Sequence, residues 1–580
     1  MRFWNHAVTA LSPQQQTVVE RPAGKLCVTA CAGSGKTRTV VHRVEHLSRL
    51  LSEQRGRIAL LSYSNVAVET FQKDYQALLR TRPTATRRCE VEIATLDSFF
   101  GSNVLGPHAH RAMGTDRRSY LVSDEPFLKG FTFKAGSFPM AAKELKASIS
   151  RGEIVYWASY KSNKIAVAES EGAKLMGKLA KVGAYTHDLG RYWVYKTLKE
   201  HPFVLRALAR RYPQILIDEA QDIGSCHQAI LELLDGSGSQ ISLIGDANQG
   251  IYEFADADGA YLRSYHAAPG IDARELTRNY RSVPAIVDVA NKLTGRADEW
   301  DREAPATVNG AFFTVATDGD ADGLRKHFLN LLAEAKIPRG NATIVCRGNE
   351  GVKKWRGDPP TQGQGTTAIF AKAAVIRDQA SDFKGAFDLA VRGFIQLLED
   401  PPGDLLTKLR NSRMPPALRA FSRLIWKFVR SDDGLPSASL KAASGWHPLL
   451  VARVKAVLAE LNSTCGLATV STIGPRLNKT NLDDEPLMVG ASSLAVESGI
   501  RVETVHGVKG ESIQAVMYVA TKGQIDDLLA GPVTEIGRIG YVAVTRAQDL
   551  FLLTVPEKDA QTLRPLLVAR GFVERPLPSP

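Results

Sequence analysis

The feature that most constrains this chain is a glycine-rich turn set between an apolar strand and a helix. The run Leu26–Ala30 is short, apolar and partly β-branched, which is typical of a buried parallel strand. The turn Ala30-Cys31-Ala32-Gly33-Ser34-Gly35-Lys36-Thr37 follows it, and a helical pattern covers residues 39–51. This order predicts a phosphate loop, in which backbone N–H groups and a helix N-terminus bind phosphate oxygens.

The side chains of this loop indicate ATP and Mg²⁺ as ligands. We expect Lys36 to reach the β- and γ-phosphates and the Thr37 hydroxyl to bind Mg²⁺. Ala30 stands where the general pattern has its first glycine, and the alternative interpretation is a glycine-rich turn that matches by chance. The predicted nucleotide-binding residues of the loop are Ala32, Gly33, Ser34, Gly35, Lys36, Thr37 and Arg38.

Two adjacent carboxylates follow a second apolar strand, residues 214–217. In an open α/β sheet, ligands bind at the carboxyl ends of the strands. We therefore expect Asp218 to hold Mg²⁺ and Glu219 to polarise the attacking water. The alternative is that these acids only cap a helix N-terminus.

Composition narrows the class of protein further. A chain of 580 residues is too long for one hydrophobic core, so several domains are expected. The sequence has no apolar run long enough to cross a bilayer and no signal peptide, which predicts a cytoplasmic protein. The formal charge of +12 suits a polyanionic partner, although many basic proteins bind no nucleic acid. The six cysteines are scattered, so we expect reduced thiols rather than a metal site.

Several further stretches resemble the motifs of superfamily-one helicases of the UvrD/Rep/PcrA type, and they occur in the order of that family. Examples are Ser62-Tyr63-Ser64-Asn65, Asn279-Tyr280-Arg281-Ser282 and Thr504-Val505-His506-Gly507-Val508-Lys509-Gly510. The other matching stretches are residues 11–15, 95–99, 245–254 and 541–547. The resemblance extends from residue 11 to residue 547 and implies an ATP-dependent DNA motor.

The resemblance also implies roles at the nucleotide. Gln15 would hydrogen-bond adenine and Tyr280 would stack on it, while Gln249 would link the γ-phosphate to the DNA. Arg281 and Arg546 would reach the γ-phosphate as arginine fingers from a second motor domain. The alternative for each arginine is a buried structural role. The glutamate that contacts the ribose in the family is shifted by one position here or replaced by Ser512.

On the DNA side, the resemblance implies base stacking by Tyr63, Tyr252 and Phe254. The alternative for these aromatic residues is packing in the core. The residues implied to contact backbone phosphates are Ser64, Asn65, Thr95, Ser98 and His506. The chain departs from the family at Asp97, where histidine is usual, and at Val66, where lysine is common.

The motif spacing predicts an α/β fold with two RecA-like P-loop motor domains and two mainly helical inserted subdomains. The first motor domain is predicted to comprise residues 1–102 and 214–280, and the second residues 281–372 and 495–580. The predicted insertions are residues 103–213 and 373–494. The first contains a lysine-rich stretch that we expect to be helical and to bind DNA backbone or to be a solvated face; its lysines are Lys161, Lys164, Lys174, Lys178 and Lys181.

The predicted function is therefore an ATP-dependent helicase or translocase acting on single-stranded or tailed double-stranded DNA in repair or replication. The resemblance alone implies 3′-to-5′ polarity. The alternative is a DNA-sensing ATPase that regulates a nuclease subunit in an anti-phage defence complex such as Gabija. Strand displacement on tailed duplexes separates the two.

Overall fold

The structure is a computed structural model. It describes residues 10–81, 88–122, 128, 130–150, 152–160, 163–252, 257–317, 319–356, 362–399, 401, 405–410, 416–488 and 499–577. Within these residues, no helix combines the length and the apolar character that crossing a bilayer requires.

The first of two large sheets has six parallel strands and contains the predicted phosphate-loop strand in its interior. Cys27 lies between Ala273 of one neighbouring strand and Leu243 of the other. Because helices cover both faces of such a sheet, its central strands are apolar throughout rather than alternating. Across the sheet the strands are Asp272–Leu276, Leu26–Ala30, Gln240–Gly245, Gln214–Ile217, Arg57–Ser62 and Glu90–Thr95.

The second sheet also has six parallel strands. Across it the strands are Val573–Glu574, Gly310–Ala316, Ala547–Pro556, Ile513–Val519, Ala342–Cys346 and Arg501–Thr504. When the strands of each sheet are numbered in chain order, both sheets read 6-1-5-4-2-3. The predicted α/β fold with two parallel sheets is confirmed, and the two sheets share one topology.

Helices flank both sheets, and several begin at the caps that the sequence provides. Ser12 and Gln15 form a reciprocal capping box, and Ser64 caps the helix that follows it. The helices of the first sheet are Pro13–Glu20, Lys36–Leu50, Asn65–Arg80, Leu96–Phe100, Ser225–Gly236 and Ala260–His266. Those of the second are Pro284–Thr294, Ala321–Glu334, Asn349–Arg356, Lys522–Leu529, Glu535–Arg546 and Ala560–Ala569.

The first insertion joins strand Glu90–Thr95 to strand Gln214–Ile217 and contains more β-structure than we predicted. An antiparallel pair and a three-stranded antiparallel sheet accompany its helices. The strands are Thr132–Ala135, Phe138–Ala141, Leu145–Ser150, Glu153–Tyr160 and Asn163–Val167, and the helices are Gly106–Met113, Glu169–Lys181, His187–Glu200 and Pro202–Arg211.

The expectation of one lysine-rich helix in this insertion was wrong in part. Lys164 lies in strand Asn163–Val167, whose backbone pairs with strand Glu153–Tyr160. Tertiary pairing of this kind overrides the weak helix propensity of a short segment. Helix Glu169–Lys181 contains Lys174, Lys178 and Lys181, and Lys161 lies outside the described residues.

The second insertion, between strands Ala342–Cys346 and Arg501–Thr504, is mainly helical in its described residues, with turns and two isolated β-bridges between the helices. The rings of Phe370, Phe394 and Phe428 meet edge to face in its core, beside the fully buried Trp446. Helix Gly365–Ala380 carries Phe370 into this core, so the predicted boundary after residue 372 falls inside a helix. The longer helices are Gly365–Ala380, Phe383–Ile395, Pro416–Arg430 and His447–Cys465.

A buried cation fixes the N-terminal helix against the phosphate-loop helix. Arg43 is 1% exposed and donates to the backbone carbonyls at the end of helix Pro13–Glu20. These are the carbonyls of Val18, Val19, Arg21 and Pro22, at 2.8–3.2 Å. Because helix C-termini leave carbonyls without partners inside the helix, this guanidinium satisfies several acceptors at once.

We expect Arg43→Met to lower the free energy of unfolding by about 2–4 kcal/mol, because it removes charge-assisted hydrogen bonds from buried carbonyls. Denaturant unfolding followed by circular dichroism measures the change. Arg80→Met, at an exposed arginine in the last turn of helix Asn65–Arg80, is the matched control. Equal effects of the two substitutions would contradict the assigned role of Arg43.

Candidate functional site

The phosphate loop has the backbone that its glycines allow. Gly33 and Gly35 have φ values of +73° and +75°, in the left-handed region. A Cβ at Gly33 would lie 2.6 Å from the Cβ of Arg281, and one at Gly35 would lie 2.7 Å from Nε2 of Gln15. Helix Lys36–Leu50 begins immediately after Gly35, which has no side chain to occupy the helix N-terminus. These two positions therefore require glycine for both conformation and space.

Gln15 lies against this loop. Its Nε2 donates to the Ser34 carbonyl at 3.0 Å, and its Oε1 accepts from the Ser12 N–H at 3.1 Å. The side chain is 4% exposed. A hydrogen bond to adenine, which stays a prediction, would require the amide to exchange or share one of these partners.

The two predicted catalytic carboxylates differ in environment. Asp218 is 2% exposed, and its Oδ1 has no hydrogen-bond partner among the described residues. Burial, and then the charge of Glu219, raise the pKa of Asp218 to about 7. Burial also pushes the pKa of Glu219 upward, but the positive charges of Lys36, Lys509 and Arg546 outweigh it, so that this pKa lies below its usual value. A buried carboxylate oxygen without a partner fits a hard cation such as Mg²⁺.

Glu219 itself has φ +56°, a strained conformation for a residue with a side chain. It is the residue immediately after Asp218, and its carboxylate accepts a hydrogen bond from Nε2 of Gln221. Strain of this kind persists only where the surroundings hold it, and the hydrogen bond to Gln221 is one such restraint.

A chain of buried hydrogen bonds leads from Glu219 to the second sheet. Oε1 of Gln221 accepts from the Asp246 N–H at 3.0 Å, and Oδ2 of Asp246 accepts from Nε2 of Gln249 at 2.9 Å. Oε1 of Gln249 in turn accepts from Nη2 of Arg546 at 2.9 Å. The structure thus brings the predicted residues Glu219, Gln249 and Arg546 together.

The two predicted arginine fingers lie together at this interface. Nη1 of Arg281 donates to the Thr545 carbonyl at 3.0 Å, next to Arg546 in the chain. Burial lowers the pKa of Arg281 to about 9, assisted by the like charge of Arg546, and burial also lowers the pKa of Arg546. Arg546 is buried and Arg281 is partly exposed, and two neighbouring like charges repel each other unless an anion lies between them. This pair therefore fits a phosphate group.

Tyr280 joins the phosphate loop to the same interface, since its N–H donates to the Gly33 carbonyl at 2.9 Å. Its hydroxyl is buried without a hydrogen-bond partner. Asn279, which the sequence analysis passed over, accepts from the N–H groups of Arg281 and Ser282 and so shapes this turn. Stacking of Tyr280 on adenine stays a prediction.

Lys509 forms a buried contact between the two sheets that the sequence analysis missed. Its Nζ lies 2.6 Å from both carboxylate oxygens of Asp222 and 2.9 Å from the Gln249 carbonyl. The two side chains are 7% and 2% exposed. The same Nζ lies 4.6 Å from the centroid of the Tyr252 ring. Lys509 stands in the matched motif 504–510 and Asp222 follows the two predicted catalytic carboxylates, so the signal that could have found the pair is their opposite charge.

The segment around Tyr252 is held from the second sheet by further contacts. Nε2 of His506 lies 2.8 Å from the Ile251 carbonyl, and the rings of Tyr252 and His506 are 5.7 Å apart. Nε of the buried Arg538 donates to the Gly250 carbonyl at 2.5 Å. Phe254, the other predicted stacking residue of this segment, lies outside the described residues.

Four of the predicted phosphate-contacting residues, Ser64, Asn65, Thr95 and Ser98, lie at the ends of two adjacent strands of the first sheet. Ser64 accepts from the Ala67 N–H at 3.1 Å, and Thr95 accepts from the Ser98 N–H at 3.2 Å, so both also cap helices. Asn65 and Ser98 are exposed. Strands Arg57–Ser62 and Glu90–Thr95 pair in parallel, which brings these residues to one edge.

The departures from the family pattern have visible structural consequences. Val66 stands where lysine is common in the family, and it is 74% exposed. The edge therefore has an exposed apolar side chain at this point in place of a positive charge. Glu511 is held by Arg501, whose guanidinium donates at 2.7 and 3.0 Å, and Ser512 is exposed. Contact of Ser512 or Glu511 with a ribose stays a prediction.

Tyr63 is half-buried, which agrees fully with neither stacking nor core packing.

Comparison with known proteins agrees with these motifs. Residues 11–267 match the UvrD/REP helicase N-terminal domain. The chain is 24% identical over 572 residues to ATP-dependent DNA helicase UvrD2 of Mycobacterium tuberculosis, with 93% of this chain and 78% of that protein covered. Residues 11–267 therefore resemble the N-terminal domain of the UvrD/REP helicases.

Two further UvrD/REP relatives match a smaller part. DNA helicase II of Escherichia coli is 25% identical over 312 residues, covering 50% of this chain and 41% of that protein. ATP-dependent DNA helicase PcrA of Bacillus subtilis is 25% identical over 301 residues, covering 50% and 40%. The UvrD/REP match 11–267 contains the phosphate loop, the two carboxylates and the first insertion.

We expect Lys509→Met to lower the free energy of unfolding by about 3–5 kcal/mol, because it leaves the buried Asp222 carboxylate unpaired. The double variant Lys509→Met/Asp222→Asn should recover part of that loss. Lys522 and Asp526 form an exposed pair at the same 2.6 Å, so Lys522→Met is the matched control and should change stability little. Denaturant midpoints measure all of these effects, and a Lys509→Met variant as stable as Lys522→Met would refute the buried pair.

Proposed function

We propose that this chain is an ATP-hydrolysing motor that moves along single-stranded DNA and unwinds tailed duplexes. One observation carries the proposal: the buried hydrogen bonds that connect Glu219, through Gln249, to Arg546 across the two sheets. A site that needs residues of two domains is complete only when the domains are closed. Hydrolysis and domain movement are then coupled.

ATP would bind in the phosphate loop, with its phosphates at Lys36 and the N-terminus of helix Lys36–Leu50. Thr37 and the unpartnered Asp218 oxygen would hold Mg²⁺, which supplies charge neutralisation at the β- and γ-phosphates. Glu219, whose lowered pKa keeps it ionised at neutral pH, would orient the attacking water and accept its proton. Arg281 and Arg546 would stabilise the charge that develops on the γ-phosphate.

The proposal of a DNA substrate is supported by the residues at the edge of the first sheet and by the relatives. The exposed Ser64, Asn65 and Ser98 are suited to backbone phosphates, and the net charge of +12 favours a polyanion. The relatives above carry the name DNA helicase. The 3′-to-5′ polarity and the role in DNA repair that we propose rest on the resemblance of the motifs and not on these names.

The alternative, a DNA-sensing ATPase that regulates a nuclease subunit in anti-phage defence, uses the same ATP site. The observation that favours it is the exposed Val66, where the family commonly has lysine, because one phosphate contact is absent from the strand-binding edge. A weaker hold on the strand suits detection better than processive movement. The unwinding assay below distinguishes the two functions.

We expect Lys36→Ala to reduce ATP turnover by about a hundredfold or more, because it removes the charge at the β- and γ-phosphates. DNA binding, measured by fluorescence anisotropy, should persist. The matched control is Lys326→Ala, at an exposed lysine of helix Ala321–Glu334, the topological equivalent in the second sheet. Unchanged ATP turnover in Lys36→Ala would refute the phosphate-loop assignment.

We expect ATP-dependent displacement of the short strand from a duplex with a 3′ tail, and none from a blunt duplex or one with a 5′ tail. A gel-based displacement assay with an ATP-turnover measurement in the same samples checks this. If single strands stimulate ATP turnover and no duplex is unwound, the helicase proposal fails and the sensor remains. Preference for a 5′ tail would refute the polarity.

A further inference from the structure

A buried histidine lies between the two strand ends to which we assign DNA contacts. His227 is 1% exposed and is the third residue of helix Ser225–Gly236. This helix follows strand Gln214–Ile217 and the two predicted catalytic carboxylates. His227 stands five residues after Asp222, whose carboxylate binds Lys509 of the second sheet. None of the roles proposed above uses His227.

Both ring nitrogens of His227 have a partner in a DNA-facing segment. Nε2 lies 3.2 Å from Oδ1 of Asp97, and Nδ1 lies 3.4 Å from the Tyr63 hydroxyl. Burial lowers the pKa of His227, which favours a neutral ring that donates from Nε2 and accepts at Nδ1. The ring is also packed edge-on against Tyr63, at 5.8 Å between centroids, and stacks on Phe100 at 6.2 Å.

Asp97 connects this histidine to the first insertion. Arg191, from helix His187–Glu200, donates to Oδ1 and Oδ2 of Asp97 at 3.0 and 2.9 Å. Burial alone would raise the pKa of Asp97, but hydrogen bonds from His227 and Arg191 outweigh it and hold the carboxyl well below its usual range. Asp97 is thus a fixed anion that orients the His227 ring through Nε2.

We infer that His227 is a positioning residue that holds the Tyr63 and Asp97 segments in the arrangement that binds single-stranded DNA. The inference rests on the proposed function and deepens it. Tyr63 directly precedes Ser64 and Asn65, and Asp97 directly precedes Ser98, so each hydrogen bond of His227 fixes a segment that carries predicted phosphate contacts. Holding both segments in place before DNA arrives lowers the ordering cost of binding.

An apolar residue would fill this buried site without the desolvation cost of two polar ring nitrogens. The histidine is stable there because both nitrogens are satisfied, and both partners belong to the same edge of the sheet. The two hydrogen bonds of His227 therefore fix the orientation of the Tyr63 segment relative to the Asp97 segment, which apolar packing alone would not do. The identity of the residue affects DNA binding more than stability.

The test compares His227→Phe with His227→Gln in the full chain, with a fluorescent oligothymidylate as the probe. Phenylalanine keeps the ring and removes both hydrogen bonds, whereas the glutamine amide can donate to Asp97 and accept from Tyr63. We expect His227→Phe to weaken DNA binding about five- to tenfold, the effect of roughly one lost hydrogen bond, and His227→Gln to restore most of it. His447→Phe is the matched control, since His447 is also buried and its Nε2 lies 3.0 Å from the Leu477 carbonyl of the second insertion.

A double-variant cycle with Tyr63→Phe adds a readout that a structural role would not move. If the Tyr63–His227 hydrogen bond is the relevant contact, Tyr63→Phe weakens DNA binding in the wild-type background and adds little to His227→Phe. Thermal midpoints are measured in parallel. A lower midpoint with unchanged DNA affinity in His227→Phe would overturn the inference, as would fully additive effects. If the unaltered chain binds no DNA, the proposed function fails and this inference falls with it.

Discussion

The contact between Arg546 and Gln249 is the interaction on which the rest of the site depends. It joins the end of helix Glu535–Arg546, beside one sheet, to the loop after strand Gln240–Gly245 of the other, at 2.9 Å and between two buried side chains. Gln249 is bound on its other side by Asp246, which is linked through Gln221 to Glu219. A displacement of either sheet therefore reaches the residue that would orient the attacking water. Because each amide and carboxylate has its partner inside the network, the arrangement tolerates little partial opening.

The two sheets have the same strand order, but the predicted phosphate loop belongs to the first alone among the described residues. In the first sheet the loop after strand Leu26–Ala30 leads into a helix whose N-terminus is left open by Gly35. In the second, the equivalent helix Ala321–Glu334 begins at Asp320, whose carboxylate accepts from the Gly323 N–H at 2.8 Å. A carboxylate there satisfies a free N–H group and repels phosphate. The second sheet consequently contributes arginines to the site of the first.

The parts of the fold and of the site that could be predicted from the sequence were those that local chemistry determines. The glycines at 33 and 35 specify a left-handed turn, and the apolar strands before the loop and before Asp218 specify a buried parallel sheet. The missed parts depend on contacts between distant residues. Lys509 and Asp222 are 287 positions apart, and His227 contacts Tyr63 and Asp97 from a third element. The strands of the first insertion were missed although one of them, Glu153–Tyr160, contains the β-branched and aromatic residues that favour strands.

The contacts between the two sheets described above are largely polar. In the proposed mechanism the two sheets separate and close again, and polar contacts suit such a cycle. A large apolar interface would lose its stabilisation on every opening, whereas Lys509, Asp222 and Arg546 regain hydration when they separate. The desolvation cost of buried charges offsets much of their attraction, so such contacts add less net stability than their short distances suggest. In the proposed mechanism, an anion between Arg281 and Arg546 would relieve the repulsion of these two like charges. Its loss after hydrolysis would restore that repulsion and favour opening.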